Sequence, residues 1–278
     1  MRPSEVSSQF GRANQLFDKS FLGAVMNNTR LVAVAFLALL GLHFNFNGVQ
    51  SARAQNQSGW GEIWKQRRTI GQAQLGDAFK LAESGKINEA LAVIDRVIAA
   101  DPSDWRSYFL KSTVLVLAKR DDEALKQIDT SINLARKSNV SPALLAQLYS
   151  SKARSCIDYG RAEEAKRSLE QAVRLQPKDP STLNALAWLL ATSRERGVRD
   201  GRRAVALAQR ACELSQWKNA FSIDTLAAAS ASVGNFSNAV KYQELAISRL
   251  DPADRKAQAG GMGQRLQQYS NGRPLTAI

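Results

Sequence analysis

The chain has 278 residues, 44% hydrophobic and 23% charged, with a formal net charge of +13. That balance is ordinary for a globular protein and leaves room for one large domain or two small ones. The single histidine, His43, and the two cysteines, Cys156 and Cys212, are too few and too scattered for imidazole-based catalysis or a zinc site. Strand-favouring residues are sparse while Ala, Leu, Gln, Arg and Lys abound, so the composition points to helices.

In chain order, the first feature is the apolar run Leu31–Phe44, preceded by Arg30 and followed by Ala52-Arg53-Ala54. A basic flank, a short apolar core and a small-x-small site have the form of a secretory signal, with a cut between Ala54 and Gln55. Residues 1–54 are therefore set apart from the fold. Met26 is a candidate initiator, because Met1 to Val25 is long and polar for a leading region. An uncleaved anchor is the alternative, although the run is shorter than the ~20 apolar residues of a span. Both readings carry residues 55 onward across the membrane, to the periplasm or beyond, because Arg30 holds the front end inside. An oxidising compartment permits a disulfide. Cys156 and Cys212, however, fall in helical patterns at positions that suit small apolar residues, so buried free thiols are expected.

Residues 55–70 form a lead-in with helical character around Trp60–Arg68. From Gly71 the chain repeats itself. One and the same interval separates Ala90 from Ala124, Ile94 from Ile128, and Ala78 from Ser112. The step from Ala124 to Ala165 is longer by seven, that from Ala165 to Ala204 by five and that from Ala204 to Ala239 by one. The surplus falls at Asn139–Leu145, a Ser-Pro-containing stretch suited to a loop or a helix start, and at Ser193–Gly201, rich in Arg and Gly. In the third unit Tyr149, Ala153 and Cys156 share one helix face, and Gly160 can take the left-handed cap conformation. Ala165, Leu169 and Ala172 share a face of a second helix, which Pro177 stops. Ala153 and Ala165 are small so that the two helices can cross closely.

These residues and their interval resemble the tetratricopeptide-repeat (TPR) family, whose 34-residue unit is two antiparallel helices and a turn. Five units follow, at about 71–104, 105–138, 146–179, 180–218 and 220–253. The first has Ala78, Gly85, Ala90, Ile94 and Pro102; the second has Arg136 where the family has proline; the fourth lacks the turn glycine. The resemblance implies an all-α fold, a right-handed superhelical solenoid over residues 71–253. Residues 254–278 then supply a capping helix, with Arg265, Leu266 and Tyr269 on one face and Asn271-Gly272 and Pro274 ending it.

Chemistry is hard to place on such a chain. No phosphate-cradling loop is present, and Gly260-Gly261-Met262-Gly263 follows no strand and reads as a hinge. Asp121-Asp122-Glu123 and Glu163-Glu164 open second helices, where negative charge favours the dipole. No catalytic residue, cofactor or metal is therefore expected. By resemblance, positions 2, 5, 9 and 12 of each unit face a concave groove. Phe109, Arg154, Asn184 and Trp188 are the candidate anchors there for a segment of a partner protein, with packing of the two aromatics between helices as the alternative. The fifth unit offers Phe221, Asp224, Ala228 and Ala231 at these positions. Arg194, Arg196, Arg199, Arg202 and Arg203 cluster at the fourth turn, suited either to solvent or to an anionic membrane or envelope surface. Nucleic acid is not an expected partner, since no nucleic-acid module is recognisable.

Overall fold

The computed structural model describes residues 60–276; the signal expected at 1–54 lies outside the described residues. Eleven helices are present among the described residues, in the order α1 Trp60–Glu83, α2 Ile87–Ala100, α3 Trp105–Leu117, α4 Asp121–Lys137, α5 Pro142–Asp158, α6 Ala162–Leu175, α7 Pro180–Thr192, α8 Gly201–Leu214, α9 Ala220–Ser232, α10 Phe236–Ser248 and α11 Pro252–Ser270. The expected pairs are α1/α2 through α9/α10, and α11 is the extra terminal helix. The lead-in does not stand apart: α1 runs unbroken for 24 residues from Trp60 into the first unit.

Local chemistry explains where the helices stop. Gly85, Gly160 and Gly234 have φ of 80°, 72° and 79° and close the first helices of their units. The Gly85 amide donates to the Ala82 carbonyl at 3.0 Å and the Lys86 amide to the Leu81 carbonyl at 2.9 Å, which satisfies the last helical acceptors. The second unit makes the same two bonds through Lys119 and Arg120, at 3.0 and 2.9 Å, with Lys119 held at φ 56°. A side chain there carries about 1–2 kcal/mol of strain that glycine avoids.

Proline has an equally local effect. Ahead of Pro102 and Pro177, α2 and α6 each end after 14 residues. With Arg136 in place of proline, α4 runs on to 17 residues. Of the loop and the helix start that Asn139–Leu145 suits, the structure shows both in part: a short turn, then a helix start at Pro142. The surplus of the third unit is shared between the longer α4, a turn at 138–141 and a 17-residue α5 that begins at Pro142. Proline at a first helical position starts a helix rather than breaking one.

The described chain divides within α5 into two compact units, an N-terminal one ending at Ser155 and a C-terminal one beginning at Cys156. In the N-terminal unit α1 packs on α2 and α3, α2 on α3, and α3 on α4. Its core holds Leu75, Ala78, Ile94, Leu110 and Val114. In the C-terminal unit α7 packs on α6, α8 and α9, α8 on α9, α9 on α10, and α10 on α11.

In both units the small positions behave as the repeat requires. Ala78, Ser112, Ala153, Ala187 and Ala227 on first helices, and Ala90, Ala124, Ala165, Ala204 and Ala239 on second helices, are at most 3% exposed. A longer side chain at any of them would push its helix pair apart. Gly201 makes a comparable approach at the start of α8: a Cβ there would meet the Ser232 hydroxyl at 2.6 Å.

Candidate functional site

The first helices of the N-terminal unit carry an open stripe. On α3, Arg106, Phe109, Thr113 and Val116 follow a helical spacing of three, four and three, and all four are half-buried. Phe79 on α1 is half-buried as well, whereas Leu75 and Ala82 at the neighbouring stations are buried. On α5, Gln147 and Arg154 are exposed and Ser150 is half-buried. Two of the four expected anchors lie in this unit: Arg154 is exposed, whereas Phe109 is half-buried and packs, with Phe79 and Val116, against the core around Leu75 and Leu110. Arg106 is engaged locally: its Nε lies 2.8 Å from the Asp104 carboxylate, and its guanidinium sits 5.8 Å from the Trp105 ring centre.

Cross-links from second to first helices hold this stripe in place. Lys111 on α3 reaches Asp95 on α2 at 2.6 Å, and Lys152 on α5 reaches Asp129 on α4 at 2.5 Å. Asp95 and Asp129 stand one repeat apart. That recurrence is present in the sequence and is a signal the small-residue alignment passes over.

The other two anchors, Asn184 and Trp188, lie in the C-terminal unit, and there the corresponding face is covered. Trp188 is 7% exposed and packs in a cluster with Ala227, Ala228, Ala231 and Tyr269, flanked by Phe221 and Leu275. The Arg265 guanidinium of α11 sits 5.8 Å from the Trp188 ring centre. Asn184 is half-buried, and its Oδ1 has no hydrogen-bond partner among the described residues. Asp224, Ala228 and Ala231, expected to face a groove, are buried completely or nearly so, and only Phe221 stays half-buried. The physical reason is close packing from several sides: α9 lies against α7, α8 and α10, and Arg265 and Tyr269 of α11 add cover at Asp224 and Trp188.

A buried polar group joins α11 to the repeat. The Asp224 Oδ1 accepts from Arg265 Nε at 2.9 Å and from Gln243 Nε2 at 2.7 Å; the same Gln243 nitrogen lies 3.3 Å from the Met262 carbonyl. Asp224 is fully buried and Arg265 is 4% exposed. Tyr269, one turn on from Arg265, is fully buried too. Burial, reinforced by the Asp224 charge and opposed by Arg265, pushes its phenol well above the ordinary tyrosine range. The acid, the guanidinium and the phenol are sealed by packing where α11 meets the repeat. Sequence reading places Arg265 and Tyr269 on one face of a capping helix, which is where they are. It misses Asp224 as their counterpart.

The five turn arginines are all exposed, on the Ser193–Asp200 loop and the first turn of α8. Their field is smaller than the arginine count implies. Arg203 is paired with Glu170 at 2.6 Å, and Glu195 and Asp200 stand among them. Cys156 and Cys212 are buried and unlinked. Burial pushes the Cys212 thiol up to about 12. Among the described residues, no cluster of His, Cys, Asp or Glu suits a metal ion, and no helix is long and apolar enough to cross a membrane.

A family model for the tetratricopeptide repeat matches residues 146–179, the third unit. No curated protein sequence matches the chain. Solved structures match it in fold. YrrB, described as a TPR protein with an unusual peptide-binding site, aligns at TM-score 0.53 and 16% identity, over 74% of this chain and 98% of its own. MamA from Desulfovibrio magneticus RS-1 aligns at 0.52 and 15%, over 66% and 93%. A Podospora anserina kinesin light chain protein with nearly identical TPR-like repeats aligns at 0.53 and 20%, over 64% and 93%. At such identities the likeness concerns the fold alone.

Proposed function

We propose that the chain, which has the fold of tetratricopeptide-repeat proteins, is a non-catalytic scaffold that holds a segment of another protein on the first-helix face of its N-terminal unit. The observation that carries this reading is Phe109, half-buried at the edge of the core in a helical stripe with Thr113 and Val116, with Arg106 at one end. An aromatic that a fold leaves partly in water is a ready anchor for an apolar side chain. Exposed Arg154 on α5 adds positive charge to the same unit, which favours a segment that also carries acidic residues. The peptide-binding site ascribed to YrrB, which shares the fold, supports the class of partner and not its identity.

The test is a displayed library of short peptides selected on the chain. Selection of a shared apolar-plus-acidic motif, lost with Phe109→Ala and weakened by Arg154→Glu, is the expected result. Selected peptides indifferent to both substitutions would sink the site. The arginine turn supports a second reading, a contact with anionic envelope or membrane surfaces, because all five arginines face solvent on one turn. Vesicles of anionic lipid test it: binding must fall steeply with salt and with charge reversal at Arg196 and Arg199. The export reading rests on residues 31–54, and a mature protein beginning at Gln55 is its expected signature.

A further inference from the structure

The terminal helix is weak in itself and specific in its contacts. α11 contains Gly260, Gly261 and Gly263 in its middle, and each glycine lowers helix stability by about fivefold relative to alanine. Packing does not demand two of them: a Cβ added at Gly260 or Gly263 would meet nothing within 4 Å. At its start, Asp251 makes no side-chain capping bond. The surface under the helix is partly polar. Gln243 Oε1, Gln258 Oε1 and Tyr269 Oη have no hydrogen-bond partner among the described residues. Such a layer holds less tightly than apolar packing, because water can satisfy every one of these groups once the helix lifts.

The contact is nonetheless selective. Met262, Arg265 and Tyr269 stand at i, i+3 and i+7, and all three are buried. Arg265 supplies the bond to Asp224 and the cover for Trp188, and Tyr269 packs in the same cluster. The tail after α11 continues the contact: Leu275 packs on this cluster, and Pro274 lines a cleft of about 130 Å³ with Leu190, Ala191 and Ser232. The covered stations, Trp188, Asp224 and Ala228, are those that face a ligand in the repeat plan.

We propose that α11 and its tail are a releasable internal ligand, and that the face beneath them is a second protein-binding site for a helix with an apolar residue, an arginine and an aromatic at i, i+3 and i+7. The occupant's chemistry is read from the one already seated there. Release exposes an acid, Asp224, that selects the arginine, and an indole, Trp188, that receives its flat face. The proposal extends the scaffold reading to the C-terminal unit and does not depend on what the N-terminal face holds.

Hydrogen exchange on the full chain tests it. Amides of α11 are expected to exchange well before those of α9 and α10, and the Gly260→Ala/Gly263→Ala variant is expected to slow them by about 25-fold while α9 keeps its rate. Exchange of α11 only together with α9 and α10, or a rate untouched by the two alanines, would overturn release. A synthetic peptide spanning residues 252–278 with the same two alanines is then added to the full chain. It is expected to bind, protect the α9 amides and speed exchange of the chain's own α11, with affinity at least about tenfold above that of its Arg265→Gln version. Release without uptake of this peptide, or equal uptake of both versions, would overturn the second site. None of these measurements involves Phe109 or Arg154, so they fail or succeed separately from the N-terminal reading.

Discussion

Thr113 and Ala228 occupy the same station, the ninth, in the first helices of the second and fifth repeats, yet they meet opposite surroundings. Thr113 is half-buried beside Phe109, whereas Ala228 is 1% exposed in the cluster that Trp188 and Tyr269 share. The same contrast holds at the fifth station, where Phe109 is half-buried and Asp224 is fully buried. A repeat therefore provides a binding face by default, and whether it is vacant depends on the rest of the chain. Function in such a molecule is set as much by what a terminal segment covers as by what each repeat displays.

The largest expected effect separates the two aromatic anchors. Trp188→Ala should cost about 3 kcal/mol or more, as loss of a large core side chain does. Phe109→Ala, on the open face, should cost about 1 kcal/mol and act on binding instead. Chemical denaturation of the two variants checks this, and equal costs would erase the distinction between the faces.

Alkaline pH comes next. Tyr269 keeps its proton above the ordinary tyrosine value of 10.0 while α11 is docked, and loses it near that value once exposed. The docked state then holds more protons, so docking weakens as pH rises above about 10, by up to about 1.4 kcal/mol per pH unit. Phenolate absorbance should include a late step from Tyr269, and Tyr269→Phe should remove both that step and the pH dependence.

Two smaller tests concern the open unit. Lys119→Gly relieves a left-handed side chain and should stabilise the N-terminal unit by about 1 kcal/mol, read as a rise in its unfolding midpoint. A double-mutant cycle on Asp95 and Lys111 should return a coupling of about 0.5 kcal/mol that shrinks with salt. A comparable value for Asp129 and Lys152 would identify the pair as a recurring fastener of the open face.

The parts of the fold legible in the sequence are those set by local rules. The repeat period, the buried small positions, the glycine caps at Gly85, Gly160 and Gly234 and the stops before Pro102 and Pro177 all depend on residues within one or two turns. The stretch around Pro142 admits a loop or a helix start, because proline both ends helices and begins them, and the structure takes the start. The site is half legible. Station numbering locates half-buried Phe109 and exposed Arg154, but it does not say that Trp188 and Asp224 are covered. Their partner, Arg265, comes from the helix that follows the last repeat, and no periodicity links it to them. The available hint is the single acid ahead of the small and apolar run Leu226–Ala229, since a lone charge in a buried helix needs a partner from elsewhere. The arginine turn errs in the opposite sense, because counting arginines leaves out Glu170, which the fold brings to Arg203.

The difference between the faces can be measured at matched stations with single thiols. Cys156 and Cys212 are buried, so they add little background to labelling of the native chain. Thr113→Cys and Ala228→Cys would be exposed in turn to a small thiol reagent. If the last repeat's face is covered as described, Cys at 113 reacts readily and Cys at 228 reacts at least about a hundredfold more slowly than it, through local opening around α9. Equal rates at the two stations would contradict it.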